Sequence, residues 1–101
     1  MKSTLKEIEE WFASQCDGDW EHGQGIKIET LDNPGWRISI NLEDTPLQDR
    51  PFKELRHNYD NELDWMRCWK NHRRFEAVGG PRKLEDMLQA FIQWAKSNEK
   101  I

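Results

Sequence analysis

Two segments, GIKIETL (residues 25–31) and WRISINL (36–42), meet across the tetrapeptide DNPG. In the first, Ile26, Ile28 and Thr30 alternate with charged residues; in the second, Trp36, Ile38, Ile40 and Leu42 alternate with polar ones. Successive side chains of a strand point to opposite faces, so both segments read as strands with one buried side. Pro-Gly between them is turn chemistry, which makes the pair an antiparallel hairpin. Parity then restricts the turn. A two-residue Pro34-Gly35 loop would pair Leu31 with Ile38 and send the isoleucines of the two strands to opposite faces. An odd-length loop or a bulge puts them on one face, and the expected pair is Ile28 with Ile40.

Other elements are arranged around this hairpin. Residues 4–15 read as a helix, with Thr4 as cap and Glu7 three residues on completing a capping box. Its expected apolar stripe is Leu5, Ile8 and Phe12, with Trp11 at the edge, and Gly18 is the expected left-handed stop. After a polar connection (42–51), residues 52–59 form a weaker strand with Leu55, His57 and Tyr59 on one side. Residues 63–70 alternate Trp65, Arg67 and Trp69 against Met66 and Cys68, and RFEAV (74–78) is a short last strand. GGP breaks the sheet, with Pro81 placed where a helix begins. Leu84, Met87, Leu88, Phe91, Ile92 and Ala95 then repeat at helical spacing to about Ser97. The expectation is one α+β domain over residues 1–101: a helix, a four- to five-stranded antiparallel meander, and a C-terminal helix. Each helix has one apolar stripe, so both should pack on one sheet face.

Only 36% of the 101 residues are apolar and 34% are charged, which is lean for a globular chain, but six tryptophans compensate with large buried areas. Net charge is −4, and residues 1–36 alone carry −5, with three Lys/Arg against eight Asp/Glu. Such a balance argues against generic nucleic-acid or anionic-membrane binding and suits a basic partner. The start, MKSTLKEIEEW, has no apolar signal core, and no run is long enough to span a bilayer. A cytoplasmic protein with reduced Cys16 and Cys68 is expected.

The chemistry-bearing stretch is CDGDWEHGQGI (16–26). Asp17, Asp19 and Glu21 imitate the first half of a calcium loop, but His22 stands where that loop needs glycine and Ile28 where it needs glutamate. Cys16, His22, Cys68 and His72 have zinc-ligand atoms. Cys68-x3-His72 is a tolerable spacing, whereas Cys16-x5-His22 is loose beside the tight pairs of zinc motifs. The plainer reading is two buried free thiols and two surface histidines. As a nucleophile, Cys16 sits at a helix C-terminus, where the dipole raises a thiol pKa. No nucleophile elbow, H-E-x-x-H or phosphate loop is present. Arg67, Lys70, Arg73, Arg74, Arg82 and Lys83, near Trp65 and Trp69, could hold single-stranded nucleic acid, or be a solvated hairpin tip beside core tryptophans. Trp20, set among carboxylates, is either a buried cap or an exposed anchor. Asp17 and Asp19 follow the first helix directly, where negative charge opposes the dipole at a cost of about 0.3–1 kcal/mol each. Rule-breaking of this kind marks where function is expected.

The order WF…CDGDWEHGQGIKIETLDNPGWRISINL, LDWMRCW, FEAVGGP and LEDMLQAFIQW resembles immunity protein family 53 of bacterial polymorphic toxin systems, from about Leu5 to Trp94. Residues 43–62 match less well, and the NHRR turn looks particular to this chain. The resemblance implies a small α+β protein made beside a toxin gene, which binds a cognate toxin domain and blocks its active site or an essential surface. It implies no catalysis and no cofactor, and it leaves the toxin unidentified. The matching Asp17, Trp20, Glu21, Asp32, Asn33 and Trp36 can equally hold the fold. Together with the charge distribution, this makes Asp17, Asp19, Trp20, Glu21 and His22 the expected partner-binding residues. No nucleic-acid, membrane or metal partner is expected. The chain is a monomer or, through a weakly protected last strand, a dimer. The rival reading is a small metal- or nucleic-acid-binding module.

Overall fold

The computed structural model describes residues 2–23, 25–57 and 64–98. Helix α1 (Thr4–Gln15) leads through a 3₁₀ turn (Trp20–Gly23) into strands β1 (Ile26–Leu31) and β2 (Gly35–Asn41). Strands β3 (Leu55–His57), β4 (Met66–Asn71) and β5 (Arg74–Gly79) follow, then helix α2 (Leu84–Ser97). The expected α+β class is observed, with five antiparallel strands. The expectations for Tyr59 and for a turn at residues 60–62 lie outside the described residues.

The strand order is β1-β2-β5-β4-β3, which corrects the meander. Two antiparallel units, β1–β2 and β3–β4–β5, join through the β2–β5 pair. Strand β5 is therefore central, and the edges are β1 and β3; the last strand offers no edge for a second chain. Its burial explains the place: Phe75, Glu76 and Ala77 are consecutive buried residues, so both faces of β5 are covered. The connection from β2 to the far edge is not merely polar. Leu42 and Leu47 are buried in the core, and Phe52 packs edge-on against Phe75 and Trp94, both at 5.2 Å. The Lys70 ammonium donates to the carbonyls of Gln48 and Arg50 at 2.7 and 2.6 Å, tying this connection to β4.

In the first hairpin, Leu31 pairs with Gly35 across the loop of residues 32–34, and Ile28 pairs with Ile38. The loop is odd and the isoleucines share a face, as parity required. The partner of Ile28 is two residues earlier than expected, because Gly35 belongs to the strand. A Cβ there would collide with the Gly79 carbonyl oxygen, so this glycine serves strand packing and the turn is left to Asp32, Asn33 and Pro34.

Helix α2 lies against β2, β4 and β5, burying Met87, Leu88, Phe91, Ile92 and Ala95. Helix α1 packs on α2, with the Trp11 ring edge-on to Phe91 at 4.8 Å and Ile8 in the same core as Ile38, Ile40, Phe75 and Ala77. The α1 stripe is rotated from the one expected. Leu5 is 63% and Phe12 36% exposed, while Thr4 and Ile8 are buried and Trp11 half-buried. Thr4 is not the cap: Ser3 Oγ accepts the Lys6 N–H at 3.1 Å. The Thr4 hydroxyl instead donates to Glu85 on α2 and accepts from Gln89, and Glu7 pairs with Lys96. The inward stripe is thus Thr4, Ile8 and Trp11 in place of Leu5, Ile8 and Phe12, and these polar contacts join it to α2.

Candidate functional site

The expected site residues occupy the connector from α1 to β1. Helix α1 ends at Gln15, and Gly18 takes the left-handed conformation expected of it, with φ +97°. The chain then reverses into the 3₁₀ turn. Asp17 Oδ1 accepts the backbone N–H groups of Asp19 (2.9 Å) and Trp20 (3.0 Å). Glu21 reaches back, accepting the N–H groups of Asp17 and Gly18 on its two oxygens at 3.0 and 2.9 Å. Four backbone donors are satisfied by two side chains in a reciprocal arrangement like that of a capping box. This offsets the charge that opposes the α1 dipole. The N–H groups of Trp20 and Asp19 hold the Asp17 carboxyl below its ordinary value. Glu21 is lowered by its own N–H, then by those of Asp17 and Gly18, and by nearby His22.

Trp20 is the buried cap. It is 6% exposed, lies edge-on to Trp11 at 5.7 Å and beside Phe12 at 5.6 Å, and donates Nε1–H to the Asn41 carbonyl at 3.3 Å. Gly25 passes directly over the ring; a Cβ there would lie 2.6 Å from Trp20 Cη2. The connector is therefore pinned from below to α1 and to the end of β2. Asp17, Asp19 and His22 are exposed, and Glu21 is half-buried. The Asp19 carboxylate makes no hydrogen bond or ion pair among the described residues.

The zinc quartet is not assembled. Cys68 is fully buried in the core, where burial pushes its thiol up to about 12. Cys16, expected buried, is exposed and donates to the Phe12 carbonyl at 3.3 Å. His72 lies in the β4–β5 turn with φ 55°. Among the described residues no three His, Cys, Asp or Glu side chains converge as a metal-holding group. The Cys16 thiol is raised, first by desolvation and then by the charges of Glu21 and Asp17, the opposite of an activated nucleophile.

The basic residues also disperse. Arg67 and Arg74 lie on the sheet face turned away from the helices, with Trp69 between their rows. Arg67 stacks over Trp69 at 4.2 Å and bonds Glu54 at 2.7 Å. Arg74 and Arg37 flank Glu76, which is 7% exposed and accepts the Ser39 hydroxyl at 2.9 Å. Lys83 pairs with Asp64 and Asp86, and Arg73 with Glu43. These cations are partnered by the protein's own carboxylates. One feature escaped sequence reading altogether: an open cleft of about 600 Å³ between the helices, floored by Trp11 and Ile92 and flanked by the Lys2–Glu10 and Glu7–Lys96 pairs. It needs the rotation of α1, which no single-helix periodicity reveals.

The sequence matches the immunity protein 53 family over residues 5–96. The chain belongs to that family. Comparison with curated proteins and with solved structures gives no significant match. Family membership carries a toxin-neutralising immunity role and, in general terms, a toxin as partner. No helix among the described residues of this immunity protein is long and apolar enough to cross a membrane.

Proposed function

We propose that this immunity protein neutralises a cognate polymorphic-toxin domain in the bacterial cytoplasm by laying its acidic connector against the toxin's active-site cleft. The observation that supports this reading is the internal order of the connector. Asp17 and Glu21 are held by four backbone N–H groups and Trp20 is seated beneath them, so Asp19 and His22 stand outward on a fixed support. A surface ordered before binding loses little conformational entropy on association. In this reading Trp20 serves the surface from below, while Asp17, Asp19, Glu21 and His22 form its contact face. A nuclease is the toxin class that such a face fits, since a phosphate-binding cleft is basic and carboxylates can occupy phosphate positions. Long-range attraction then speeds capture. Inhibition by occupancy needs no catalytic step and no cofactor.

The test is co-expression with the neighbouring toxin, with growth rescue and complex affinity as readouts. Asp19→Lys reverses charge without touching the connector's own hydrogen bonds. It should raise Kd by roughly tenfold or more at low salt and leave the fold intact. Glu9→Lys, an equal charge change on exposed α1, should have little effect. Unchanged rescue and affinity in Asp19→Lys would remove the connector from the interface.

A further inference from the structure

Strand β1 is an end strand of the sheet. Asn41 N–H donates to the Gly25 carbonyl at 2.8 Å, and Ile26 lies opposite Ile40. In an antiparallel ladder, backbone groups point alternately to the two sides of a strand. Gly25, Lys27 and Glu29 therefore direct their N–H and C=O groups toward β2. Ile26, Ile28 and Thr30 direct theirs outward from the sheet. Side chains alternate as well. Ile28 shares the helix-side face with Ile38 yet is 43% exposed, while Lys27 and Glu29 project from the opposite face with side chains 56% and 45% exposed.

We propose that two copies of the chain join antiparallel along β1, with Ile28 opposite Ile28 of the second copy, to form one continuous ten-stranded sheet. The choice of occupant follows from the sequence Lys27-Ile28-Glu29, which is complementary to itself under a two-fold axis. Outward-pointing residues must face outward-pointing residues, so only registers centred on a residue of β1 and slipped in steps of two positions can bond. Centring on Lys27 sets lysine against lysine, and centring on Glu29 sets glutamate against glutamate. Centring on Ile28 sets each Lys27 against the other copy's Glu29. These would be the pairs not hydrogen-bonded to each other, where cross-strand side chains lie closest. The same register brings the two exposed Ile28 side chains together and lets Ile26 bond Thr30 in both directions. Charged residues usually blunt an edge; here their opposite signs, two positions apart, select a partner. This inference rests on the edge alone and is independent of the toxin-facing surface.

Sedimentation velocity across about 1–200 µM tests it, with Lys27→Glu and Glu29→Lys as variants. Each variant alone turns two attractive cross-strand pairs into two repulsive ones, and should raise the dimer Kd by roughly tenfold to a hundredfold. An equimolar mixture of the two variants should restore the dimer as a heterodimer, and so should the double exchange Lys27→Glu/Glu29→Lys in one chain. Both side chains are exposed and, among the described residues, pair only with each other, at 3.8 Å, so far-UV circular dichroism should show each variant folded. A monomeric wild type throughout the range overturns the proposal. So does a dimer that persists unchanged in both single variants, or a mixture that stays monomeric. An edge that takes up a strand of the toxin instead would show as a monomer alone and a charge-sensitive complex with toxin, and would also overturn it.

Discussion

Adding one methyl group at Gly25 tests whether the connector is built on Trp20. A Cβ at that position would lie 2.6, 2.7 and 3.1 Å from Trp20 Cη2, Cζ3 and Cζ2. Carbon atoms attract best at about 3.5–4.0 Å, so the ring must retreat by about 1 Å. Trp11 and Phe12 stand against it, and its Nε1–H bond to the Asn41 carbonyl is already 3.3 Å long. Overpacking of this kind costs about 1–3 kcal/mol, and losing the indole bond adds about 0.5–1.5 kcal/mol. The expected loss for Gly25→Ala is therefore about 2–4 kcal/mol. For a domain of this size that corresponds to a Tm lower by roughly 10–25 °C. Urea and thermal unfolding, followed by circular dichroism and tryptophan fluorescence, measure it. Gly23→Ala is the control, because a Cβ there meets nothing within 4 Å; it should change stability by under about 1 kcal/mol. Trp20→Phe withdraws the clashing atoms, so Gly25→Ala should cost less in that background, giving a measurable coupling. A Gly25→Ala protein within about 0.5 kcal/mol of wild type would refute the reasoning, as would full additivity with Trp20→Phe.

Acid should release the connector before the rest of the domain. Asp17 and Glu21 sit below their ordinary values of 3.8 and 4.5, so the stability they contribute is complete above those values and fades as pH falls through the lower folded-state ones. Trp20 emission should hold down to about pH 4.5 and shift red below it, and Asp17→Asn/Glu21→Gln should abolish that step; an identical acid profile in the double variant would rule out these carboxylates as its source. The two thiols should differ in alkylation. Exposed Cys16 should react in the folded protein, more slowly than free cysteine because its thiol is raised, and Cys68 only on unfolding, as mass spectrometry of iodoacetamide-treated protein can show.

The hairpin and α2 were legible because their apolar residues recur at the period of their own backbone. Neither reading needs a neighbour: Ile26, Ile28, Ile38 and Ile40 declare a face by alternation, and Met87, Leu88, Phe91 and Ile92 by helical spacing. The strand order was not legible because it depends on pairing at a distance. Arg74, Glu76 and Val78 look like the wet side of an edge strand. In the structure Glu76 is buried between Arg37, Arg74 and Ser39, so a charged row became the second covered face of the central strand. A buried carboxylate is tolerable only when it is paired and hydrogen-bonded, and the partners of Glu76 are Arg37 and Ser39, 39 and 37 residues earlier, and Arg74 of its own strand. The rotation of α1 has the same origin. Thr4 is a poor core residue by composition, and is a good one when Glu85 and Gln89 stand opposite its hydroxyl.

The connector shows what charge counting sees and misses. From the sequence, Asp17 and Asp19 are an electrostatic cost at the end of a helix, and that cost is real. The compensation for Asp17 comes from backbone N–H groups, which every residue but proline carries and which no composition displays. Once those bonds are counted, the three carboxylates of DGDWE cease to be equivalent. Asp17 and Glu21 each accept two N–H donors, and replacing either disturbs the turn that carries all the rest. Asp19 accepts none of these donors. A charge-reversal scan that treats the stretch as one acidic patch would therefore mix loss of loop structure with loss of contact. Asp19 is the position at which the two separate, so the effect of Asp19→Lys on toxin affinity measures the surface itself.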